Sequence, residues 1–320
     1  MTLSDPTLAI ATRGLVRCFG GNRAVDGLDL TVHRGEMAAL VGPDGAGKST
    51  AIRLLCGILR PDGGEIQVLG HNLRHEPEIE AAKAKIGYLS QEFTLYGDLS
   101  IDENIEFFAD LHGVPGFRKR RDELLEFTRL TPFRKRLAEA LSGGMKKKLA
   151  LACTLIHTPE LLLLDEPSTG VDPVSRGEFW TILSGILDRQ VTILMTTPYL
   201  DEAERCHRVC LMHRGRLVMA GTPGEVRGRM PGRVWEIRCA DPSAACRILR
   251  AEWPPARLVL AGDRLRLWTP GDGADELRHL NAMLQAAGLE PATTEPAEPT
   301  LEDAFAALTD EAGDSRKTTA

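Results

Sequence analysis

Three short runs in the first two thirds of the chain are apolar at consecutive rather than alternate positions: Met37–Val41, 161–164 and 191–195, the last interrupted only by Thr192. A strand covered by helices on both faces needs this pattern, because neither face meets water. Amphipathic stretches separate the runs, so their order predicts an α/β domain with a largely parallel sheet. From 87 to 158 the spacing turns helical, with Ile101, Ile105 and Phe108 on one stripe and Leu124, Leu125, Phe127 and Leu130 on another, which predicts an inserted helical subdomain. The turn formers Gly221-Thr222-Pro223-Gly224 close this first domain, expected over 1–225. Beyond it, 234–239 reads as a strand, 242–251 as a helix, 256–268 as paired strands and 274–287 as a helix, a small α+β domain over 230–309. Residues 310–320 lack apolar periodicity and are expected to form a flexible tail.

Composition fits this two-domain picture: 320 residues, 43% apolar and 26% charged, can bury full cores. A net charge of −6 gives no overall pull toward nucleic acid or anionic lipid. The clusters Arg118-Lys119-Arg120-Arg121, Arg134-Lys135-Arg136 and Lys146-Lys147-Lys148 read as solvated helix faces rather than a nucleic-acid footprint. Seven cysteines without a framework suit a reducing compartment. Cys206 and Cys210 flank His207 and invite a metal reading, but no second ligand pair follows, so inward-facing thiols are the simpler account. The first ten residues do not read as a signal peptide. No stretch of 18 apolar residues occurs; the most apolar region, 149–164, is broken by His157, Pro159 and Glu160.

Candidate chemistry begins directly after the first apolar run. Gly42-Pro43-Asp44-Gly45-Ala46-Gly47-Lys48-Ser49 fits G-x-x-x-x-G-K-[ST], between the strand Met37–Val41 and a helix expected over 50–59 that Thr50 opens. Glycines at 42, 45 and 47 allow the backbone to aim its N–H groups at one point, and the helix N-terminus adds its positive dipole end. Such a turn holds phosphate: Lys48 reaches the β- and γ-phosphates, and the Ser49 hydroxyl ligates Mg²⁺. The run Leu161-Leu162-Leu163-Leu164-Asp165-Glu166 delivers two carboxylates to the carboxyl edge of the sheet, where α/β ligands bind. Asp165 is expected to hold Mg²⁺ through water, and Glu166 to polarise an attacking water.

Phosphate-binding turns of this kind serve many enzymes, so the class has to come from other residues. Leu141-Ser142-Gly143-Gly144-Met145 resembles the signature sequence of ABC-transporter ATPases. That resemblance implies an ABC ATPase core in which Ser142, Gly143 and Gly144 form a second anion-binding turn, used on the ATP of an opposing subunit. Other marks resemble the same family, over about 8–224. Phe19 looks like its adenine-stacking aromatic, the alternative being a phenylalanine packed in the core. Gln91, in Ile86-Gly87-Tyr88-Leu89-Ser90-Gln91, resembles the glutamine that contacts Mg²⁺ and links core to helical subdomain. Thr169-Gly170-Val171-Asp172 resembles the loop in which Asp172 bridges the two nucleotide sites. No guanine-reading N-K-x-D element is present. The family places a groove for a membrane subunit near 93–96 and 115–131, although a local core would look the same from sequence. Glu298-Pro299-Thr300-Leu301-Glu302-Asp303-Ala304-Phe305 is similar to the ending of drug-efflux ATPases, and the Gly42-Pro43-Asp44-Gly45 spelling resembles multidrug-type exporters with unequal nucleotide domains.

The resemblance implies an ATP- and Mg²⁺-dependent ATPase subunit, peripheral on the cytoplasmic face of the membrane, paired with a permease and a second ATPase subunit, and with no nucleic-acid partner. Catalytic roles fall to Glu166, Gln91 and Lys48, and Mg²⁺ to Ser49, Gln91 and Asp165. One departure alters the expectation. After 191–195 the family reads threonine and then a switch histidine, whereas Thr196-Thr197-Pro198-Tyr199 puts proline there. A prolyl ring offers neither a donor nor a titratable nitrogen. His207 and His213 are the nearest substitutes in sequence. The departure predicts a chain that binds ATP, hydrolyses it slowly or not at all in its own cleft, and favours a heterodimer. A non-hydrolysing regulatory subunit and a soluble, non-transport ABC ATPase are the competing readings.

Overall fold

The three apolar runs are neighbours in one six-stranded sheet, whose order is Arg216–Gly221, Arg208–His213, Met37–Val41, Thr192–Thr197, Leu161–Asp165, Ile86–Leu89. From Arg208–His213 across to Ile86–Leu89 every pairing is parallel, so five carboxyl ends open on a single edge. The strands Met37–Val41, Leu161–Asp165 and Thr192–Thr197 are wholly buried, as their mainly apolar, non-alternating pattern suits. A computed structural model describes residues 5–92, 95–255, 257–289 and 291–314 of the chain. It forms two compact units, Met1–Met219 and Ala220–Ala320.

A second sheet in the first unit has no counterpart in the sequence reading. Its five strands pair antiparallel around the long strand Leu8–Phe19, which meets Asn22–Leu28, Thr31–His33 and Gly63–Val68. Register shifts interrupt the ladders with Asn22–Leu28 and Gly63–Val68, and buried residues cluster at one end of Leu8–Phe19 instead of alternating. A bulged strand scrambles the period-two signal.

The inserted helices are Ile101–Leu111, Arg118–Phe127 and Gly143–Leu155. Residues 87–89, expected inside the helical stretch, instead belong to the edge strand Ile86–Leu89 paired with 161–164. The helix after the phosphate-type turn is Lys48–Leu55, shorter at its far end than 50–59. Gly57, at φ 67°, stops it: Gly57 N donates to Leu54 O and Ile58 N to Arg53 O, the two bonds of a Schellman cap.

The division between units falls at Met219/Ala220 rather than at 225, because helix Pro223–Gly228 belongs to the second unit. That unit is an antiparallel sheet in the order Leu258–Ala261, Arg264–Thr269, Arg233–Cys239, Pro291–Ala297. Alternate residues point to opposite faces. Ile237, Leu265 and Leu267 enter a core with Leu249, Trp253, Leu280 and Leu284 from helices Pro242–Leu249 and Ala274–Ala286 and the segment after the first. Between them Arg264 and Arg266 grip Glu236. Arg266 also donates to Glu298 O and Asp303 Oδ2. Thr300 and Asp303 exchange bonds as a capping box, so the exporter-like ending starts a clamped helix, Leu301–Asp314. This helix runs into the segment expected to be a tail; 315–320 lie outside the described residues.

Candidate functional site

The carboxyl edge of the parallel sheet gathers most of the candidate residues in one cleft of about 1020 Å³. Asp44, Gly45, Ala46, Gly47, Lys48, Ser49 and Thr50 form its floor, with Gln91, Glu166 and Thr169 at one side. Gly45 and Gly47 have φ of 76° and 102°, the left-handed region that glycine tolerates. Gly42 is needed for another reason: a Cβ there would lie 2.2 Å from the Met212 carbonyl oxygen. Lys48 Nζ donates to Gly42 O at 2.7 Å and Pro43 O at 3.1 Å, so these two residues hold the ammonium rather than line the cleft.

Residues 116 apart in sequence then meet: Ser49 Oγ donates to Asp165 Oδ1 at 3.0 Å. Thr196 Oγ1 donates to the same oxygen at 2.7 Å and accepts from Glu166 N at 2.9 Å, fixing both acids at the end of their strand. Asp165 Oδ2 is buried and has no partner among the described residues. An orphaned carboxylate oxygen beside a serine hydroxyl is the donor set a hard cation such as Mg²⁺ takes. Glu166 stands in the left-handed region at φ 47°. Its carboxylate lies 3.5 Å from Lys48 Nζ, and accepts from Gln91 Nε2 at 3.2 Å and Thr169 Oγ1 at 3.4 Å.

Lys147 corrects the reading of 146–148 as a solvated face. Lys147 and Lys148 are both buried; Lys147 Nζ donates to Gln91 O at 3.1 Å and Lys148 bonds to Glu178. Burial lowers the Lys147 pKa, an effect opposed by Asp165 and Glu166. With Lys48, it balances the two buried acids charge for charge. The other basic clusters are partly paired: Arg134 and Arg121 share Asp102 and Asp122.

The remaining candidates lie elsewhere. Phe19 is exposed at the end of its strand under the Arg17 guanidinium, 4.8 Å from the ring centroid, and does not line the cleft; its pairing partner Asn22 does. Ser142, Gly143 and Gly144 sit at the N-terminus of helix Gly143–Leu155, away from this cleft, with Ser142 and Gly143 exposed. Asp172 caps the helix Pro173–Leu187 by accepting from Val174 N and Ser175 N, and its pKa is lowered first by the Ser175 side chain and then by these main-chain bonds. Cys206 and Cys210 are buried, and burial pushes both thiols up to about 12. His207 Nδ1 accepts from Met37 N, and neither His207 nor His213 lines the cleft, whereas Pro198 and Tyr199 do.

The sequence reading gave no site role to Thr196, Lys147, Tyr199, Arg214 or the wall residues Asn22, Arg23 and Ala24. Thr196 had a signal, a threonine directly after the apolar Ile193-Leu194-Met195, and it pairs directly with Asp165. In the helical region, Leu124, Leu125 and Leu130 of 115–131 are core, and the exposed large apolar residues include Tyr96, Phe107, Leu111 and Leu137. Phe93 and Thr94 lie outside the described residues. No helix of the described residues is long and apolar enough to cross a membrane.

Comparison with known proteins agrees with this geometry. The family model described as ABC transporter matches residues 25–169. The probable multidrug ABC transporter ATP-binding protein YbhF of Escherichia coli is 40% identical over 314 residues, 96% of this chain but 53% of that protein, so the chain spans about half the length of this relative. The daunorubicin/doxorubicin resistance ATP-binding protein DrrA of Streptomyces peucetius is 37% identical over 98% of this chain and 96% of its own length. Among solved structures, cbiO1 from Clostridium perfringens, part of the ABC transporter complex cbiONQ, superposes with a TM-score of 0.65 at 27% identity, covering 78% of this chain and 96% of that one.

Proposed function

Because this chain belongs to the ATP-binding proteins of ABC transporters, we propose that it is the nucleotide-driven subunit of an efflux transporter, working on a separate membrane permease. The observation that carries the reading is the junction of Lys48, Ser49, Asp165 and Glu166 at the carboxyl edge of the sheet, with one Asp165 oxygen left for a cation. In this reading the main-chain N–H groups of 44–49 and the Lys48 ammonium bind the phosphates, and Ser49, Asp165 and Gln91 hold Mg²⁺. Bound Mg²⁺ supplies neutralisation of charge on the β- and γ-phosphate oxygens. Glu166, held by Gln91 and Thr169, orients and deprotonates the attacking water. The drug-resistance names of two relatives and the exporter-like ending support efflux as the direction.

The Ser142-Gly143-Gly144 turn, exposed at Ser142 and Gly143, lies outside this chain's own cleft, which supports its use on nucleotide held by a second ATPase subunit. Pro198 lines the cleft where the family carries its switch histidine, which supports an unlike partner over a second copy. The same residue favours the second reading, a regulatory subunit that binds ATP without hydrolysing it. Tyr96, Phe107 and Leu111 offer the apolar surface on which a permease would dock, holding the subunit to the cytoplasmic face of the membrane.

The test has two arms. Calorimetric titration should give magnesium-dependent ATP affinity that Lys48→Ala abolishes, and a pull-down from solubilised membranes should recover a permease together with a different ATPase chain. Absence of nucleotide affinity in the unaltered protein would end the reading. Recovery without any membrane protein would instead favour a soluble, non-transport ATPase.

A further inference from the structure

The turn between strands Arg208–His213 and Arg216–Gly221 sends one residue, Arg214, to the wall of the cleft, and none of the motifs accounts for it. Its neighbours fix the turn in place. Gly215 N donates to Ala46 O of the phosphate-type turn at 2.8 Å, and Asp26 N donates to Gly215 O at 2.9 Å. A Cβ on Gly215 would come within 3.1 Å of Ala24 O and Asp26 N, so the turn is packed against the wall that carries Asn22, Arg23 and Ala24. Asp26, the nearby acid, is already engaged: Arg216 reaches Oδ2 at 2.7 Å and Arg23 reaches Oδ1 at 2.9 Å. Among the described residues no carboxylate pairs with Arg214, which is exposed. Its φ is 48°, in the left-handed region that suits glycine and disfavours a long side chain. Strain of this kind concentrates at ligand-binding positions.

We propose that Arg214 contacts the nucleotide, its guanidinium binding a phosphate on the base-side part that ADP and ATP share. This rests on the cleft being a nucleotide site. The assignment to one end follows from the layout: Glu166, Gln91 and Thr169 mark the side where the terminal phosphate lies against Lys48, whereas Arg214 is anchored to Ala46 and residues 24–26. A guanidinium makes paired, charge-assisted bonds to phosphate oxygens, and a rigid turn limits the entropy lost in making them.

Arg214→Gly separates binding from folding, because glycine accepts the left-handed backbone without strain. The expected result, by calorimetry on the full chain with Mg²⁺, is a loss of at least about tenfold in affinity for ATP and ADP alike. The nucleotide-free variant should melt at or above the temperature of the unaltered protein, and Arg214→Lys should keep part of the affinity. ATP and ADP affinities within about twofold of the unaltered protein would overturn the proposal. A loss confined to ATP would overturn the base-side assignment, because it would put the contact on the terminal phosphate. If the unaltered protein bound no nucleotide, the functional reading itself would fall, an outcome distinct from equal binding by both proteins.

Discussion

Lys147 Nζ donates to the main-chain oxygen of Gln91 at 3.1 Å, across 56 residues of sequence. Lys147 stands in the first turns of the helix that the Ser-Gly-Gly turn begins, and the Gln91 side chain in turn reaches Glu166. The helix that begins at Gly143 is therefore hydrogen-bonded, through Lys147 and Gln91, to Glu166.

Lys147→Met retains the length and apolar stem of the side chain while removing its donor. Gln91 then loses the bond that fixes its main chain, and a small displacement of a positioning group is costly to rate. MgATP affinity should stay within about threefold, while the slow single-turnover hydrolysis in this chain's own cleft falls by about tenfold or more. Lys147→Arg should lie between the two. A methionine variant that hydrolyses at the unaltered rate would deny the path any part in catalysis.

Gly144 is required by packing rather than by backbone conformation. A Cβ on it would meet Ser175 Oγ at 2.4 Å and Ser175 Cβ at 2.6 Å, on the helix that Asp172 caps. Gly144→Ala should destabilise the protein by about 2 kcal/mol in urea unfolding. Ser175→Gly removes the atoms in the way, so the double variant should be less destabilised than the sum of the two singles. Strict additivity would place the strain elsewhere.

What could be read from the sequence depended on whether residues signal alone or only in company. Met37–Val41, 161–164 and 191–195 announce buried parallel strands because their apolar residues run on without alternation, broken only by Thr192, and the structure sets them side by side. Asp165 and Lys48 were legible because the motif spacing is itself the mechanism. Lys147 was misread: three consecutive lysines look solvated, and only the packing of their helix against Gln91 and Glu178 buries two of them. Arg214 had no signal, since its place depends on the bond from Gly215 to Ala46, 169 residues away. The antiparallel sheet was missed because its bulged central strand lacks alternation.

His157 stacks on His112 with ring centroids 4.1 Å apart, and its Nε2 bonds to Ile86 O. Burial, with a smaller effect from His112, lowers its pKa from 6.5 to about 4. The folded protein therefore resists a proton that the unfolded chain accepts below about pH 6.5. This contribution to stability is complete above pH 6.5 and is lost as the pH falls toward 4. Allowing for partial exposure of the ring, it amounts to about 2 kcal/mol. In His157→Gln, which retains a donor for Ile86 O, the difference in urea stability between about pH 7 and pH 4 should shrink by about that amount. An unchanged pH dependence would assign the acid lability to other groups.

Pro198 directly follows the buried strand Thr192–Thr197. Thr197 Oγ1 donates to the buried Glu202 and accepts from Tyr199 N, so the segment is pinned on both sides of Pro198, which lines the cleft with Glu166 and Gln91. A proline there offers no imidazole beside Glu166. Pro198→His supplies an imidazole with a donor and a titratable nitrogen, which in general acid–base roles contributes about 10²-fold or more. Single-turnover hydrolysis in this chain's own cleft should rise by at least about tenfold, with ATP affinity little changed, because phosphate binding rests on Lys48 and the turn amides. Copies of the unaltered chain alone should turn over slowly, and adding an ATPase subunit that carries the histidine should restore turnover through the Ser142-Gly143-Gly144 turn. Robust hydrolysis by the unaltered chain alone would show that Glu166, Gln91 and Lys48 suffice, and the argument for an unlike partner would lose its basis.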